Sequence, residues 1–169
     1  KNAKAFSLGC FAFGGGAKAG VEGNLNPLFS VSFGDSTVSE GYGAIAIGNG
    51  SKTYAKTSFA GGSGNTTINS YAENTIAFGS GLKVYDKNSC IFGSSNQLNS
   101  QSVGGNIICG SGNTSYSCYS AIFGSDNSLG RDGANSNEKG ANLARWNYVF
   151  GSLNKITSSN GYYNFISGY

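Results

Sequence analysis

A short apolar motif that ends in glycine returns along the whole chain and constrains its fold more than any other feature. The motif is an apolar residue, a small or apolar residue, a second apolar residue and a glycine. Its copies are Phe11-Ala-Phe-Gly14, Val31-Ser-Phe-Gly34, Ile45-Ala-Ile-Gly48, Phe59-Ala-Gly-Gly62, Ile76-Ala-Phe-Gly79, Cys90-Ile-Phe-Gly93, Ile107-Ile-Cys-Gly110, Ala121-Ile-Phe-Gly124, Tyr148-Val-Phe-Gly151 and Phe165-Ile-Ser-Gly168. The spacing between consecutive final glycines runs 20, 14, 14, 17, 14, 17, 14, 27 and 17 along the chain. A base period of about 14 residues with a few insertions indicates a repeat architecture.

Each motif predicts a short β-strand that is apolar on both faces. Alternate strand residues point to opposite faces, so the first and third positions share one face and the second position lies on the other. The glycine permits a tight turn with positive φ. Five residues after the glycine a second apolar position recurs, occupied by Val84, Leu98, Leu129 and Ile156. Two strands and two turns per period predict an all-β chain of about 14-residue coils, a parallel β-solenoid with almost no helix.

The two apolar faces predict two different packing environments. One face should fill the coil, and the other needs a partner surface, most simply further copies of the chain. We expect the second motif position, which holds Ile122 in one coil, to pack against neighbouring chains. We expect the third position to form one stacked row that is buried, made of Phe33, Ile47, Phe78, Phe92, Phe123 and Phe150.

Composition and charge argue against several classes of protein. Glycine contributes 28 residues, yet 11 Phe and 10 Tyr supply enough apolar area for an ordered, turn-rich fold. Histidine is absent, and the eight acidic residues keep no constant position relative to the glycines. We therefore expect no enzymatic activity, no metal site and no cofactor. A net charge of +3 without a run of Lys or Arg argues against a nucleic-acid partner.

Four cysteines, Cys10, Cys90, Cys109 and Cys118, show no CxxC spacing. Cys90 and Cys109 stand where other copies of the motif carry Ile and Phe, so we interpret them as small core residues. Free thiols are the favoured state. The alternative is a disulfide that joins Cys109 to Cys118 across one coil.

The repeat resembles the head domain of YadA-type trimeric autotransporter adhesins, which repeat a Ser-Val-Ala-Ile-Gly-like unit. The best local match runs from Gly43-Ala-Ile-Ala-Ile-Gly48 to Gly62, and Asn74-Thr-Ile-Ala-Phe-Gly79 and Asn88-Ser-Cys-Ile-Phe-Gly93 also match. The resemblance covers most of the chain, so residues 1–169 are expected to be one head domain. It implies a left-handed parallel β-roll, a homotrimer, and display on a bacterial surface through an outer-membrane anchor in a C-terminal region outside these residues. Phe in place of Ile before the glycine, the cysteines and an insertion of 13 beyond the base period depart from the family pattern.

The resemblance also implies a class of partner. In its richness in Asn, Lys and Ser the chain is similar to fusobacterial adhesins that bind CEACAM-family receptors. The expected partner is such a receptor, another host cell-surface protein or an extracellular matrix protein. The alternative function is a trimeric phage or tail-fibre solenoid that binds surface glycans, which a carboxylate pair in a groove between chains would favour.

Two segments outside the regular repeat, near residues 15–29 and 130–146, are the candidate binding regions. Insertions on solenoids often form the binding face, and Trp and Arg are enriched at interface hot spots. The second segment holds the only Trp and five of the 19 charged residues. A solvated excursion, with Trp146 leading the chain back into the core, is the other interpretation. The predicted receptor-binding residues are Arg131, Asp132, Glu138, Lys139, Arg145, Trp146, Pro27, Leu28 and Phe29.

Overall fold

The chain forms a parallel β-solenoid. The computed structural model describes residues 2–23, 28–64, 66–99, 104–130, 145–156 and 163–169, and these ranges contain strands and turns without a helix. The strands form two sheets of ten strands each, and every pairing between named strands is parallel. Within the same ranges there is no helical segment that could cross a membrane.

The chain alternates between the two sheets, so that each coil contributes one strand to each. One sheet, the short-strand sheet, contains β1 (Lys4–Ala5), β3 (Lys18–Ala19), β5 (Val38–Ser39), β7 (Lys52–Thr53), β9 (Thr67–Ile68), β11 (Lys83–Val84), β13 (Gln97–Leu98), β15 (Thr114–Ser115), β17 (Ser128–Leu129) and β19 (Lys155–Ile156). The other, the long-strand sheet, contains β2 (Phe11–Phe13), β4 (Val31–Phe33), β6 (Ile45–Asn49), β8 (Phe59–Ser63), β10 (Ile76–Ser80), β12 (Cys90–Ser94), β14 (Ile107–Ser111), β16 (Ala121–Ser125), β18 (Tyr148–Ser152) and β20 (Phe165–Gly168).

The register of the long-strand sheet aligns motif with motif. Ile76 pairs with Cys90 and Gly79 with Gly93, for example. Paired residues are 14 apart at four of the nine steps and 17 apart at three. They are 20 apart between β2 and β4 and 27 apart between β16 and β18. The predicted second strand of each coil and the parallel stacking are confirmed, and the insertions raise the mean coil length above the base period.

Most additional residues lie in the turn that leads from a short strand to the next long strand. The first predicted insertion, 15–29, already contains β3, so its added residues are confined to the turn between β3 and β4. The second lies between β17 and β18. The added residues of both insertions consequently lie along the same corner of the solenoid.

The motif glycines are required by close packing between coils as well as by their turn conformation. Gly93 has φ of 109°. A Cβ built on it would lie inside the van der Waals radius of the carbonyl oxygen of Gly110 in the next coil. The same relation holds between Gly79 and Gly93, and it recurs in most other coils. One glycine per coil therefore lets successive coils approach to the normal strand spacing.

We expect Gly93→Ala to lower the free energy of unfolding by roughly 3 kcal/mol or more. Two costs add, because alanine disfavours the positive φ and its Cβ overlaps with the backbone of Gly110. Gly168→Ala is the matched control. Gly168 occupies the same motif position in the last strand, where an added Cβ meets nothing within 4 Å. Urea unfolding followed by circular dichroism measures both variants, and equal stability of the two would contradict this account of the glycines.

The interior is filled by the second motif position, contrary to our expectation. Ile91, Ile108, Ile122 and Val149 are at most 1% exposed, and they face the buried residues of the short-strand sheet, including Leu98 and Leu129. The predicted buried row of Phe33, Ile47, Phe78, Phe92, Phe123 and Phe150 does stack in register, but it lies on the outer surface. A coil only two strands wide accommodates Ala, Ser, Val and Ile between its sheets and leaves no room for a phenyl ring.

Ladders of asparagine occupy part of the interior. The backbone N–H and Nδ2 of Asn113 donate to Oδ1 of Asn96 at 2.9 and 3.0 Å, and Nδ2 also donates to the carbonyl of Gly124 at 2.8 Å. Asn127 repeats this arrangement on Asn113. Each buried side-chain amide thus forms hydrogen bonds with backbone N–H and carbonyl groups of neighbouring coils, and these bonds fix the register between coils.

The interpretation of Cys90 and Cys109 as core residues is wrong. Both lie on the outer face of the long-strand sheet and are half-buried, because they occupy the first and third motif positions. Burial raises the pKa of the Cys109 thiol, and the nearby Cys90 adds to the shift. Cys118 is buried, and all four cysteines, each in the described ranges, are thiols rather than disulfides, as favoured from the sequence.

Candidate functional site

The outer face of the long-strand sheet is a continuous apolar surface, which we call the apolar face. It is built from the first and third motif positions, which alternation directs away from the interior. Twelve of its large members are at least 38% exposed. They are Phe11, Phe13, Phe33, Ile47, Ile76, Phe78, Phe92, Ile107, Phe123, Tyr148, Phe150 and Phe165.

The apolar face is long, regular and bordered by polar side chains. Ten strands at the usual spacing extend it to about 43 Å. Phe13 stacks on Phe33 with ring centroids 5.1 Å apart, and Phe123 stacks on Phe150 at 5.3 Å. An apolar centre with a polar rim is the anatomy of a protein interface, and an apolar patch of this length marks an interaction site. The rim on one side is a column of serines in register, namely Ser63, Ser80, Ser94, Ser111, Ser125 and Ser152.

An aromatic corner, made of Tyr119, Trp146 and Tyr163, borders the apolar face near its C-terminal end. Each residue lies two positions before a motif and has positive φ, of 52°, 53° and 56°. Their rings stack in sequence, with centroids 5.9 Å apart for Tyr119 and Trp146 and 5.0 Å for Trp146 and Tyr163. Positive φ is unfavourable for a bulky residue, and this ring stack helps to offset the strain.

Arg145 and Trp146 return the chain from the second insertion to this corner. Arg145 forms a parallel bridge with Cys118, and the N–H of Tyr163 donates to the Arg145 carbonyl at 3.2 Å. The Nε of Arg145 is buried and makes no hydrogen bond to the described part of the chain. Trp146 does not lead into the core, because its ring lies in the outer stack.

The structure separates the two candidate binding regions. Leu28 is half-buried, and Phe29 is 54% exposed with its ring edge-on to Tyr42 at 5.9 Å. Phe29 and Trp146 occupy equivalent positions before β4 and β18, seven strand steps or about 34 Å apart. Five predicted binding residues lie outside the described residues, namely Arg131, Asp132, Glu138, Lys139 and Pro27.

The acidic side chains are dispersed. In the described ranges no three His, Cys, Asp or Glu side chains converge in a way that could hold a metal ion. Asp86 is buried, and its Oδ2 accepts a hydrogen bond of 2.6 Å from Nδ2 of Asn106. This carboxylate lies in the interior of the coil, away from both outer surfaces, and its hydrogen bond stabilises the fold.

Sequence reasoning placed the binding regions on insertions, with Trp146 among their residues, and assigned the partner-facing apolar surface to the second motif position instead of the first and third. It missed the stacking of Trp146 with Tyr119 and Tyr163. A signal for the corner was available, because Tyr119, Trp146 and Tyr163 all stand two residues before a motif. Comparison with known proteins found no matching family model, no matching curated protein and no matching solved structure. The geometry of these surfaces and the repeat itself are therefore the basis for assigning a function.

Proposed function

We propose that this chain is the head of a bacterial trimeric autotransporter adhesin, a left-handed β-roll that assembles as a homotrimer and attaches to a host surface protein. The observation that carries the proposal is the apolar face. One chain leaves twelve large apolar side chains of this face exposed to water. Three copies around a common axis remove those side chains from solvent and close the assembly without leaving an edge for further growth.

The resemblance of the glycine motif to YadA-type heads supports three copies. The regularity of the face supports further copies of the chain as its partner, because residues in register along one chain then contact equivalent residues in register on its neighbours. Outer-membrane anchoring through a C-terminal region beyond these residues, and display at the bacterial cell surface, belong to the same proposal.

The binding site of this proposal is the second insertion together with its base at the aromatic corner. Arg145 and Trp146 hold the end of the insertion against the solenoid, so residues 131–144 are attached to a rigid support. A trimer presents three equivalent sites, and closely spaced host receptors are then bound with avidity. The partner is a CEACAM-family receptor, another host cell-surface protein or a matrix protein.

Replacement of residues 131–144 by a short Gly-Ser turn tests the binding site. We expect the oligomer and its melting temperature to be retained, and binding to host epithelial cells to fall by roughly tenfold or more, because the hot-spot contacts and their avidity are lost. Flow cytometry with labelled protein measures the binding.

The matched control is Tyr71→Ala, which removes an exposed aromatic side chain in the middle of the solenoid. It should bind as the unmodified chain does. Undiminished binding after replacement of the insertion would show that the receptor contacts the coils instead.

A further inference from the structure

A column of lysines runs along the outer face of the short-strand sheet. The first residue of every short strand points outward, and its parallel partners follow in register. Five of the ten positions of the column hold lysine, namely Lys4, Lys18, Lys52, Lys83 and Lys155. Because the chain has 11 basic residues in all, positive charge is concentrated in this column. Uncharged hydrogen-bonding residues fill most of the rest, including Thr67, Gln97, Thr114 and Ser128.

A second column lies two residues further along each strand and carries tyrosines at even spacing. Tyr54, Tyr85 and Tyr116 are half-buried, and their backbone N–H groups continue the ladder by donating to carbonyls of the next coil. They recur on every second coil, about 10 Å apart. Lys52 and Lys83 stand two residues before Tyr54 and Tyr85, so a lysine and a tyrosine are presented together at the same interval.

A groove accompanies the lysine column at its N-terminal end. It is lined by Lys4, Lys18, Val38 and Lys52 of the column, and by Gly16, Ser36 and Gly50, which stand two residues before Lys18, Val38 and Lys52. Its volume is about 540 Å³, within the range of ligand sites. The groove exists because these preceding residues have little or no side chain, and it follows the axis across successive coils.

Three lysines of this face, Lys18, Lys52 and Lys83, are available to a ligand. Among the described residues the one ion pair joins Lys87 to Glu73 at 3.6 Å, so Lys18, Lys52 and Lys83 have no carboxylate partner there. Glu40 is the acidic residue that interrupts the tyrosine column, next to Tyr54. The two sheets lie back to back across the interior, so this face points away from the apolar face.

We propose that the outer face of the short-strand sheet binds a linear sulfated polysaccharide of the glycosaminoglycan type, laid along the axis with its N-terminal part in the groove. Ammonium groups of the lysine column contact sulfates, and intervening Thr, Gln and Ser side chains hydrogen-bond to sugar hydroxyls. The tyrosine rings pack against the apolar faces of the pyranose rings. The interval of about 10 Å between lysine–tyrosine pairs is comparable to the length of one disaccharide, so equivalent groups of the ligand meet equivalent groups of the protein.

The alternative polyanion, a nucleic acid, fits this face less well. Single-stranded nucleic acid is bound through open aromatic platforms on which bases stack. The tyrosines here recur only on every second coil and are separated by Asn69 and Asn99, so they form no continuous stacking platform. Recognition of nucleic-acid phosphates favours the planar, bidentate guanidinium of arginine over the point charge of lysine. The described part of this face carries no arginine.

Calorimetric titration of the whole chain with a size-fractionated heparin oligosaccharide tests the inference. The variant is Lys18→Thr with Lys52→Thr, which uses a residue that the column already contains. The control is Lys56→Thr with Lys87→Thr, which removes the same charge outside the lysine column. We expect about a tenfold or greater loss of affinity for the first pair and less than about threefold for the second. For the first pair, the slope of log K against the logarithm of the salt concentration should fall in magnitude by about two.

Several results would overturn the inference: no heparin binding by the unmodified chain, equal losses in both variants, or equal affinity for desulfated heparin. Tighter binding of single-stranded DNA of the same charge would assign the face to nucleic acid instead. Circular dichroism of each variant confirms that the fold is retained. Every subunit carries its own lysine column, so the inference does not depend on the trimer or on the receptor proposed above, and it can fail without them.

Discussion

Ile122→Asp is expected to abolish folding of the chain at neutral pH. Ile122 is 1% exposed and lies between Ile108 and Val149 in the interior column. The substitution removes apolar contacts and places a carboxyl group in the hydrophobic core. The combined loss is about 4 kcal/mol or more, a large part of the stability of a domain of this size.

The pH dependence of this variant identifies burial as the cause. Desolvation raises the folded-state pKa of the introduced carboxyl above its unfolded value of about 3.9. The unfolded state then loses its proton more readily, so the free energy of unfolding falls as the pH rises through about 4. The variant should therefore be more ordered near pH 4 than near pH 7 by circular dichroism.

Ile122→Val is the control, with an expected loss of about 0.5–1.5 kcal/mol. A melting temperature of Ile122→Asp equal to that of the unmodified chain would contradict the assignment of the second motif position to the interior.

Phe123→Asp, one residue later, is expected to prevent assembly and to leave folding intact. Phe123 is 39% exposed on the apolar face. The substitution leaves the interior intact and removes one ring stack, with Phe150, which contributes on the order of 1 kcal/mol. In the proposed trimer, however, it places three carboxylates within an apolar interface. We therefore expect a folded monomer in place of the trimer.

Size-exclusion chromatography and circular dichroism together measure this outcome, and Phe123→Tyr, which keeps the ring, should remain trimeric. A Phe123→Asp variant that is folded and still trimeric would exclude the apolar face as the interface. The pair Ile122→Asp and Phe123→Asp separates folding from assembly with substitutions at adjacent residues.

The period and the turn chemistry were predictable because they depend on local backbone requirements. A glycine such as Gly93 needs positive φ and close approach, and both requirements are visible as a recurring residue type. The second short strand was predictable from single apolar residues such as Val84 and Leu98. These signals required no knowledge of what the coil packs against.

The assignment of the two strand faces was wrong for a physical reason. Alternation determines which residues share a face, but it does not determine which face points inward. Side-chain volume decides that question: Ala77 and Ile91 fit between two sheets of one coil, whereas Phe78 and Phe92 do not. Attention to volume, in addition to hydrophobicity, would have placed the phenylalanines outside.

The asparagine ladders and the surface columns were missed because they are properties of the register. Asn96, Asn113 and Asn127 each stand three residues after a motif glycine, and their partners lie 14 or 17 residues away. Lys18 and Lys52 each stand four residues after one. Scattered in the sequence, these residues become columns only when the coils are aligned. For the same reason a net charge of +3 gave no indication of a basic face.

Static light scattering of the unmodified 169-residue chain tests the central claim, that the apolar face is an interface between three copies, most directly. The account predicts a particle of three times the 17.3 kDa mass of one chain, stable on dilution to micromolar concentration. A folded species of 17.3 kDa, with the phenylalanines of the long-strand sheet left in water, would contradict it.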